Sequence, residues 1–221
     1  MFMKDVLGAD LQNFLKSLLP ERDLLLTEME KYAQENHVSI VEPEVGQLLS
    51  LLIKITRPKN VLEIGTAIGY STIWMARALE IGSQITTIEL LPGRYKQALK
   101  NFQKAGLHDK IKSINGDARE ILPNLQENYD FIFLDAAKGQ YPEFFKLTPQ
   151  ILKPGGLLVF DNVLINGWVI DLKFPERRKK TMVYRMRNFL EELKNNKDYL
   201  TSIIPLGDGV LLCWKKGEEN E

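Results

Sequence analysis

Two stretches of the sequence end a run of apolar residues on oxygen ligands. Phe131-Ile132-Phe133-Leu134 runs into Asp135-Ala136-Ala137-Lys138, and Leu157-Leu158-Val159-Phe160 runs into Asp161-Asn162. As neighbouring strands of one parallel sheet, the two would deliver Asp135, Asp161 and Asn162 to the same edge. Two carboxylates and an amide oxygen, with no His or Cys nearby in sequence, suit a hard cation that keeps water ligands, which favours Mg²⁺ over Zn²⁺. Such a cation leaves room for two adjacent oxygens of another molecule and acidifies a hydroxyl placed there. Lys138 is the candidate base for that proton, because a lysine beside a divalent cation gives up its own proton more readily. The competing reading makes the two aspartates separate helix caps, Asn162 a turn residue and Lys138 a surface lysine.

A second group of residues outlines a nucleoside pocket. Glu63-Ile64-Gly65-Thr66-Ala67-Ile68-Gly69-Tyr70-Ser71 reads as a strand end, a glycine turn and a helix start. Gly65 lets a ligand approach the backbone, Gly69 permits the tight turn, and the helix N-terminus offers N–H donors to an anionic group. Ala67 stands where a dinucleotide fingerprint has its second glycine, which counts against a nicotinamide dehydrogenase. Glu89 ends the next strand, where an acid accepts from ribose hydroxyls. Gly116-Asp117-Ala118 follows the third, where a carboxylate can accept from a purine amine. Singly, each acid is better explained as a solvated residue or a helix cap, and the glycines alone could merely close a strand-to-helix turn; together they outline the pocket.

Placing all of these at one edge requires a particular succession of elements. From Asn60 onward, five short β-branched or apolar runs alternate with helical stretches: 61–64 before 70–79, 84–89 before 92–105, 111–114 before 118–122, 129–134 before 141–152, and 156–160 before 179–194. That alternation predicts a doubly wound, Rossmann-like α/β sheet. Two more runs, 200–204 and 210–214, are joined by Pro205-Leu206-Gly207-Asp208-Gly209, with no room for a crossover helix, so they form an antiparallel hairpin. The expected fold is therefore a seven-stranded, mostly parallel sheet. Ahead of it, residues 1–56 read as a helical cover, with apolar residues at helical spacing from Leu7 to Leu19 and a helix opened by Pro43.

Composition fits one domain spanning 1–221. The chain has 221 residues and is 44% hydrophobic, which excludes a disordered protein, and its 29 basic against 29 acidic side chains argue against a wholesale polyanion binder, although a balanced total can hide a local basic patch. The single cysteine, Cys213, has no internal disulfide partner and reads as a core thiol. Asp5 comes too early for a signal peptide, and no uncharged run approaches the ~20 residues of a membrane span, so a cytoplasmic protein with no membrane partner is expected.

The pattern Glu63-x-Gly65-Thr66-x-x-Gly69-Tyr70-Ser71, with Glu89 and Gly116-Asp117-Ala118, resembles the S-adenosylmethionine site of class I methyltransferases. The Gly-Thr-x-x-Gly-Tyr-Ser version is similar to the metal-dependent catechol and caffeoyl-CoA O-methyltransferases, over roughly residues 39–214. The resemblance implies S-adenosylmethionine as cofactor, with Gly65 and Ser71 at its methionine part, Glu89 at the ribose and Asp117-Ala118 at the adenine. It places Glu63 and Asp135 in the same cofactor site and gives Val41 a backbone contact with the cofactor. Asp-x-x-Lys, here Asp135 and Lys138, carries the metal-ligand and base roles in that family. Methyl transfer would then be an in-line displacement at the sulfonium methyl, driven by positioning. The family also favours a homodimer.

Beyond Asn162, Trp168 and the run Arg177-Arg178-Lys179-Lys180 place basic and aromatic residues where an acceptor would enter. Basic residues among aromatic ones bind phosphates and stack bases, while the bland reading is a solvated helix face. Asp-Asn-Val-Leu, the basic run and Met-Arg-Asn-Phe-Leu resemble the bacterial branch that includes tRNA 5-hydroxyuridine methyltransferase. That implies tRNA as the partner and the wobble 5-hydroxyl as the acceptor. Small catechols or caffeoyl-CoA-like esters are the alternative acceptors. A non-catalytic nucleotide- or RNA-binding module would dispense with the metal ligands or the base, yet Asp135, Lys138, Asp161 and Asn162 are all present.

Overall fold

In a computed structural model of the chain, residues 9–170 and 179–217 are described. Three helices come first, α1 (Ala9–Ser17), α2 (Leu24–Glu35) and α3 (Pro43–Thr56). Asp23 caps α2 by accepting from the Leu26 N–H at 2.9 Å, and Pro43 supplies the preset first turn of α3. The alternating part follows as β1 (Asn60–Ile64), α4 (Tyr70–Ala78), β2 (Gln84–Glu89), α5 (Pro92–Lys104), β3 (Ile111–Asn115), α6 (Ala118–Ile121), β4 (Tyr129–Leu134), α7 (Tyr141–Leu147), β5 (Leu152–Phe160) and α8 (Lys180–Lys194). The hairpin β6 (Tyr199–Ile204) and β7 (Val210–Lys215) closes the chain.

The seven strands form one sheet in the order β3-β2-β1-β4-β5-β7-β6. Strands β1 to β5 pair in parallel, and β7 enters antiparallel between β5 and β6. This is the doubly wound sheet with an antiparallel terminal hairpin that the alternation predicts. Successive side chains of the central strands serve opposite faces. Val61, Phe131 and Phe133 pack with Val45, Leu49, Ile53, Tyr70, Ile73 and Phe102 on the side of α2 to α5. Leu62, Ile132 and Leu134 pack with Tyr141, Phe144, Val183, Met186 and Phe189 on the side of α7 and α8. With both faces covered, the central strands β4 and β5 run apolar without a break over Phe131–Leu134 and Leu157–Phe160, as buried parallel strands do.

Two boundaries differ from the sequence reading. The helix expected over 141–152 stops at Leu147, and β5 begins at Leu152 rather than 156, because Leu152 pairs with Tyr129 of β4. Cys213 is fully buried, as expected of a core thiol. Among the described residues, no helix is long and apolar enough to cross a membrane.

Candidate active site

Chain order turns back between β1 and β4, whose neighbours β2 and β5 lie on opposite sides, and ligands of such sheets sit outside the carboxyl ends at that switch point. There the structure holds a cavity of about 390 Å³ lined by Gly65, Glu89, Asp117, Asp135, Lys138 and Asn162, among others. Gly65 has φ +103°, and a Cβ on it would collide with the carbonyl of Asp135. Gly69, at φ +87°, turns the chain into α4 in a space that a Cβ would share with the Phe102 ring. Both glycines are therefore steric requirements, and the cradle between β1 and α4 is left open for a ligand.

The acids around this cradle are held in different ways. Glu89 is 5% exposed and accepts from the Ala67 and Leu91 N–H groups, each at 2.8 Å, so it fixes the glycine turn while its carboxylate borders the cavity. Asp117 caps α6 and is gripped by the Arg119 guanidinium, with Nη2 at 2.5 Å and Nε at 3.0 Å. Those hydrogen bonds to Arg119 hold its carboxyl below the ordinary range. Ala118 lines the cavity beside it.

Glu63 and Ser71 are placed otherwise. Glu63 is fully buried and accepts from the hydroxyls of Ser71, Thr72 and Thr87 at 2.5–2.6 Å, behind the cradle and outside the cavity lining. Burial pushes its carboxyl up to about 7 against the pull of those hydroxyls. Ser71 spends its hydroxyl proton on Glu63. Val41 is buried and lines a neighbouring cavity of about 620 Å³ between the N-terminal helices, which meets the first along Ser39.

Asp135, Lys138 and Asn162 line the central cavity together, and Asp161 lies behind them, 1% exposed. The last β4–β5 pair is Leu134 with Phe160, so Asp135 and Asp161 are the next residues on adjacent strands. Burial first holds both carboxyls above the ordinary range; the charge of Asp135 raises Asp161 further, and Lys138 opposes the rise in both. Two desolvated acids side by side are the donor set that a cation relieves, and the amide of Asn162 adds a neutral oxygen. Among the described residues no cluster of three or more His, Cys, Asp or Glu could hold a metal, so this set is confined to two carboxylates and an amide.

Trp168, Lys179 and Lys180, expected at the acceptor entrance, are not among the residues lining this cavity; Lys179 Nζ lies 4.9 Å from the centre of the Trp168 ring, and Lys180 Nζ 5.7 Å from that of Tyr184. Arg177 and Arg178 lie outside the described residues. One residue of the site escaped the sequence reading, in which 205–209 is only a link. Asp208 of that turn stands 3.7 Å from Lys138 Nζ. The signal was available: β7 runs antiparallel to β5, with Leu211 opposite Phe160, so the turn before β7 must lie at the carboxyl edge.

A family model described as O-methyltransferase matches residues 17–216. The chain is 38% identical over 175 residues to the catechol O-methyltransferase of Niastella koreensis, covering 76% of this chain and 79% of that protein. It is 35% identical over 188 residues to caffeoyl-CoA O-methyltransferase 1 of Eucalyptus globulus, covering 80% and 75% respectively. The fold matches that of an O-methyltransferase of tomaymycin synthesis in Streptomyces achromogenes, solved in complex with S-adenosylmethionine, at TM-score 0.83 and 31% identity, covering 94% of this chain and 96% of that one. The chain belongs to the O-methyltransferase family.

Proposed function

We propose that the protein transfers the methyl group of S-adenosylmethionine to one hydroxyl of an acceptor that carries two adjacent oxygens, as a catechol does, with Mg²⁺ as the resident metal. The observation that supports this most is the common opening of the glycine cradle and of the Asp135, Lys138 and Asn162 side chains onto one cavity. The start of α4 and Gly65 take the methionine end of the cofactor, Glu89 the ribose, and Asp117 with Ala118 the adenine; Val41 borders it from the helical cover. Glu63 and Ser71 hold the cradle from behind. Asp135, Asp161 and Asn162 would hold the metal, which when bound supplies Lewis acidity to the acceptor hydroxyl. Lys138 takes the hydroxyl proton on its Nζ, and the walls hold the resulting oxygen in line with the sulfonium methyl.

A second reading of the acceptor, 5-hydroxyuridine at the wobble position of tRNA, is favoured by the Lys179–Trp168 and Lys180–Tyr184 pairs in the basic segment after β5. The 5-hydroxyl and 4-carbonyl of that base are an adjacent oxygen pair, and cations interleaved with aromatic rings suit a nucleic-acid backbone and its bases. Transfer of label from radioactive S-adenosylmethionine in the presence of Mg²⁺, compared between a catechol, caffeoyl-CoA and tRNA carrying 5-hydroxyuridine, tests both readings. Label on no acceptor, with and without Mg²⁺, rejects the proposal; label on the tRNA alone moves the acceptor to RNA.

A further inference from the structure

The segment after β5 has an unusual backbone. Asn162, Ile165 and Asn166 all have positive φ, at 56°, 48° and 52°, and Ile165 is a buried β-branched residue for which that conformation is unfavourable. Such a backbone persists only where its surroundings impose it. Here the imposing partner is the β6–β7 turn: the Val163 N–H donates to the Gly209 carbonyl at 3.0 Å and the Leu164 N–H to the Asp208 carbonyl at 2.9 Å. The Asn166 N–H donates to Asp208 Oδ1. Gly209 has φ +88°, and a Cβ there would run into the Leu164 side chain, so the two segments interlock.

The other oxygen of the same carboxylate, Asp208 Oδ2, stands 3.7 Å from Lys138 Nζ. The side chains of Lys138 and Asp208 are 29% and 20% exposed, so the pair is only partly screened by solvent. One carboxylate thus spans two parts of the site contributed by distant pieces of chain. One oxygen fixes the loop that carries Asn162, and the other faces the amine of the 3₁₀ turn after β4.

We infer that Asp208 is a positioning residue for methyl transfer, which aims the Lys138 amine at the acceptor oxygen and at the same time locks the loop that presents Asn162. The inference rests on the proposed function, in which Lys138 is the base and Asn162 a metal ligand. Asp208 acts through these two residues and needs no contact with the reacting atoms.

The test separates its two oxygens. Asp208→Asn keeps an oxygen for the Asn166 N–H but removes the charge facing Lys138, whereas Asp208→Ala removes both. Asp208→Asn is expected to lower kcat about tenfold with KM for S-adenosylmethionine unchanged, and to have no further effect in a Lys138→Met background, because residues that act as a unit are not additive. Titration of Mg²⁺ into cofactor-free protein by calorimetry gives a readout apart from activity. Binding to Asp208→Asn is expected to match wild type, while that to Asp208→Ala weakens about tenfold as the loop loosens. Wild-type kcat in Asp208→Asn, or full additivity with Lys138→Met, overturns the aiming role; wild-type Mg²⁺ affinity in Asp208→Ala overturns the loop role. A wild-type protein that neither binds Mg²⁺ nor responds to it rejects the proposed function itself, and this inference with it. A Mg²⁺-dependent wild type beside unaffected variants rejects Asp208 alone.

Discussion

The α-carbon of Gly65 lies against the backbone carbonyl of Asp135, so closely that any side chain at 65 would occupy the space of that oxygen. The contact joins the ends of β1 and β4, the parallel neighbours between which the strand order turns back, and so couples the cofactor cradle to the proposed metal edge. Gly65→Ala should therefore cost about 2–4 kcal/mol of stability, from a left-handed φ and an overpacked backbone contact together. It should also abolish binding of S-adenosylmethionine. Urea denaturation and calorimetric titration of the cofactor measure the two effects, and a variant with wild-type values of both contradicts the steric reading.

Glu63 predicts a pH dependence of stability. Its carboxyl titrates near 7 in the fold against an ordinary 4.5, so the native state keeps a proton that the unfolded chain releases. The contribution of Glu63 to stability is therefore fully present below about pH 4.5 and is lost as pH rises to about 7. Glu63→Gln cannot ionise, so relative to wild type it should gain on the order of 3 kcal/mol between the ends of that window. Parallel urea melts from pH 4.5 to 7.5 show the trend, and a constant difference between the two proteins rules it out.

The crowded pair Asp135 and Asp161 predicts that metal uptake expels protons. Both carboxyls are held above the ordinary range by burial, and Asp161 also by its neighbour, so a cation must compete with protons for them. Mg²⁺ affinity should then rise with pH, and proton release should fall toward zero in alkaline buffer. Calorimetry in two buffers of different ionisation enthalpy counts the protons. In Asp161→Asn the release should shrink along with the affinity.

Charge reversal at Lys179 and Lys180 separates the acceptors. If tRNA is the substrate, Lys179→Glu with Lys180→Glu should lower kcat/KM on tRNA by about 10–100-fold and flatten its salt dependence, since each lost phosphate contact removes released counterions. Transfer to a small catechol should stay within about twofold, because screened surface charges hardly reach the buried site. Equal losses on both acceptors would return these lysines to a structural role.

Much of this protein is determined by its sequence alone. Alternation of apolar runs with helical stretches fixes the doubly wound sheet, because buried parallel strands and their crossover helices leave patterns of different period. The five residues between β6 and β7 admit only a hairpin, and ligand chemistry at parallel strand ends points to Asp135, Asp161 and Asn162. Local periodicity failed at 148–152, where Ile151 and Leu152 continue a helical apolar pattern but Leu152 is claimed by pairing with Tyr129, a partner distant in sequence.

Only the tertiary structure decided how each acid is used. Glu63 stands in the glycine motif like a ligand, yet the hydroxyls of Ser71, Thr72 and Thr87 surround it behind the cradle. Asp117 shares its carboxylate with Arg119, and Asp208, anonymous between two glycines, meets Lys138 across 70 residues of chain. Sequence fixes which side chains exist and which strand end they leave. Which of their oxygens remain open depends on neighbours that folding brings together, because a hydrogen bond or an ion pair is set by a few ångströms in space and not by distance along the chain.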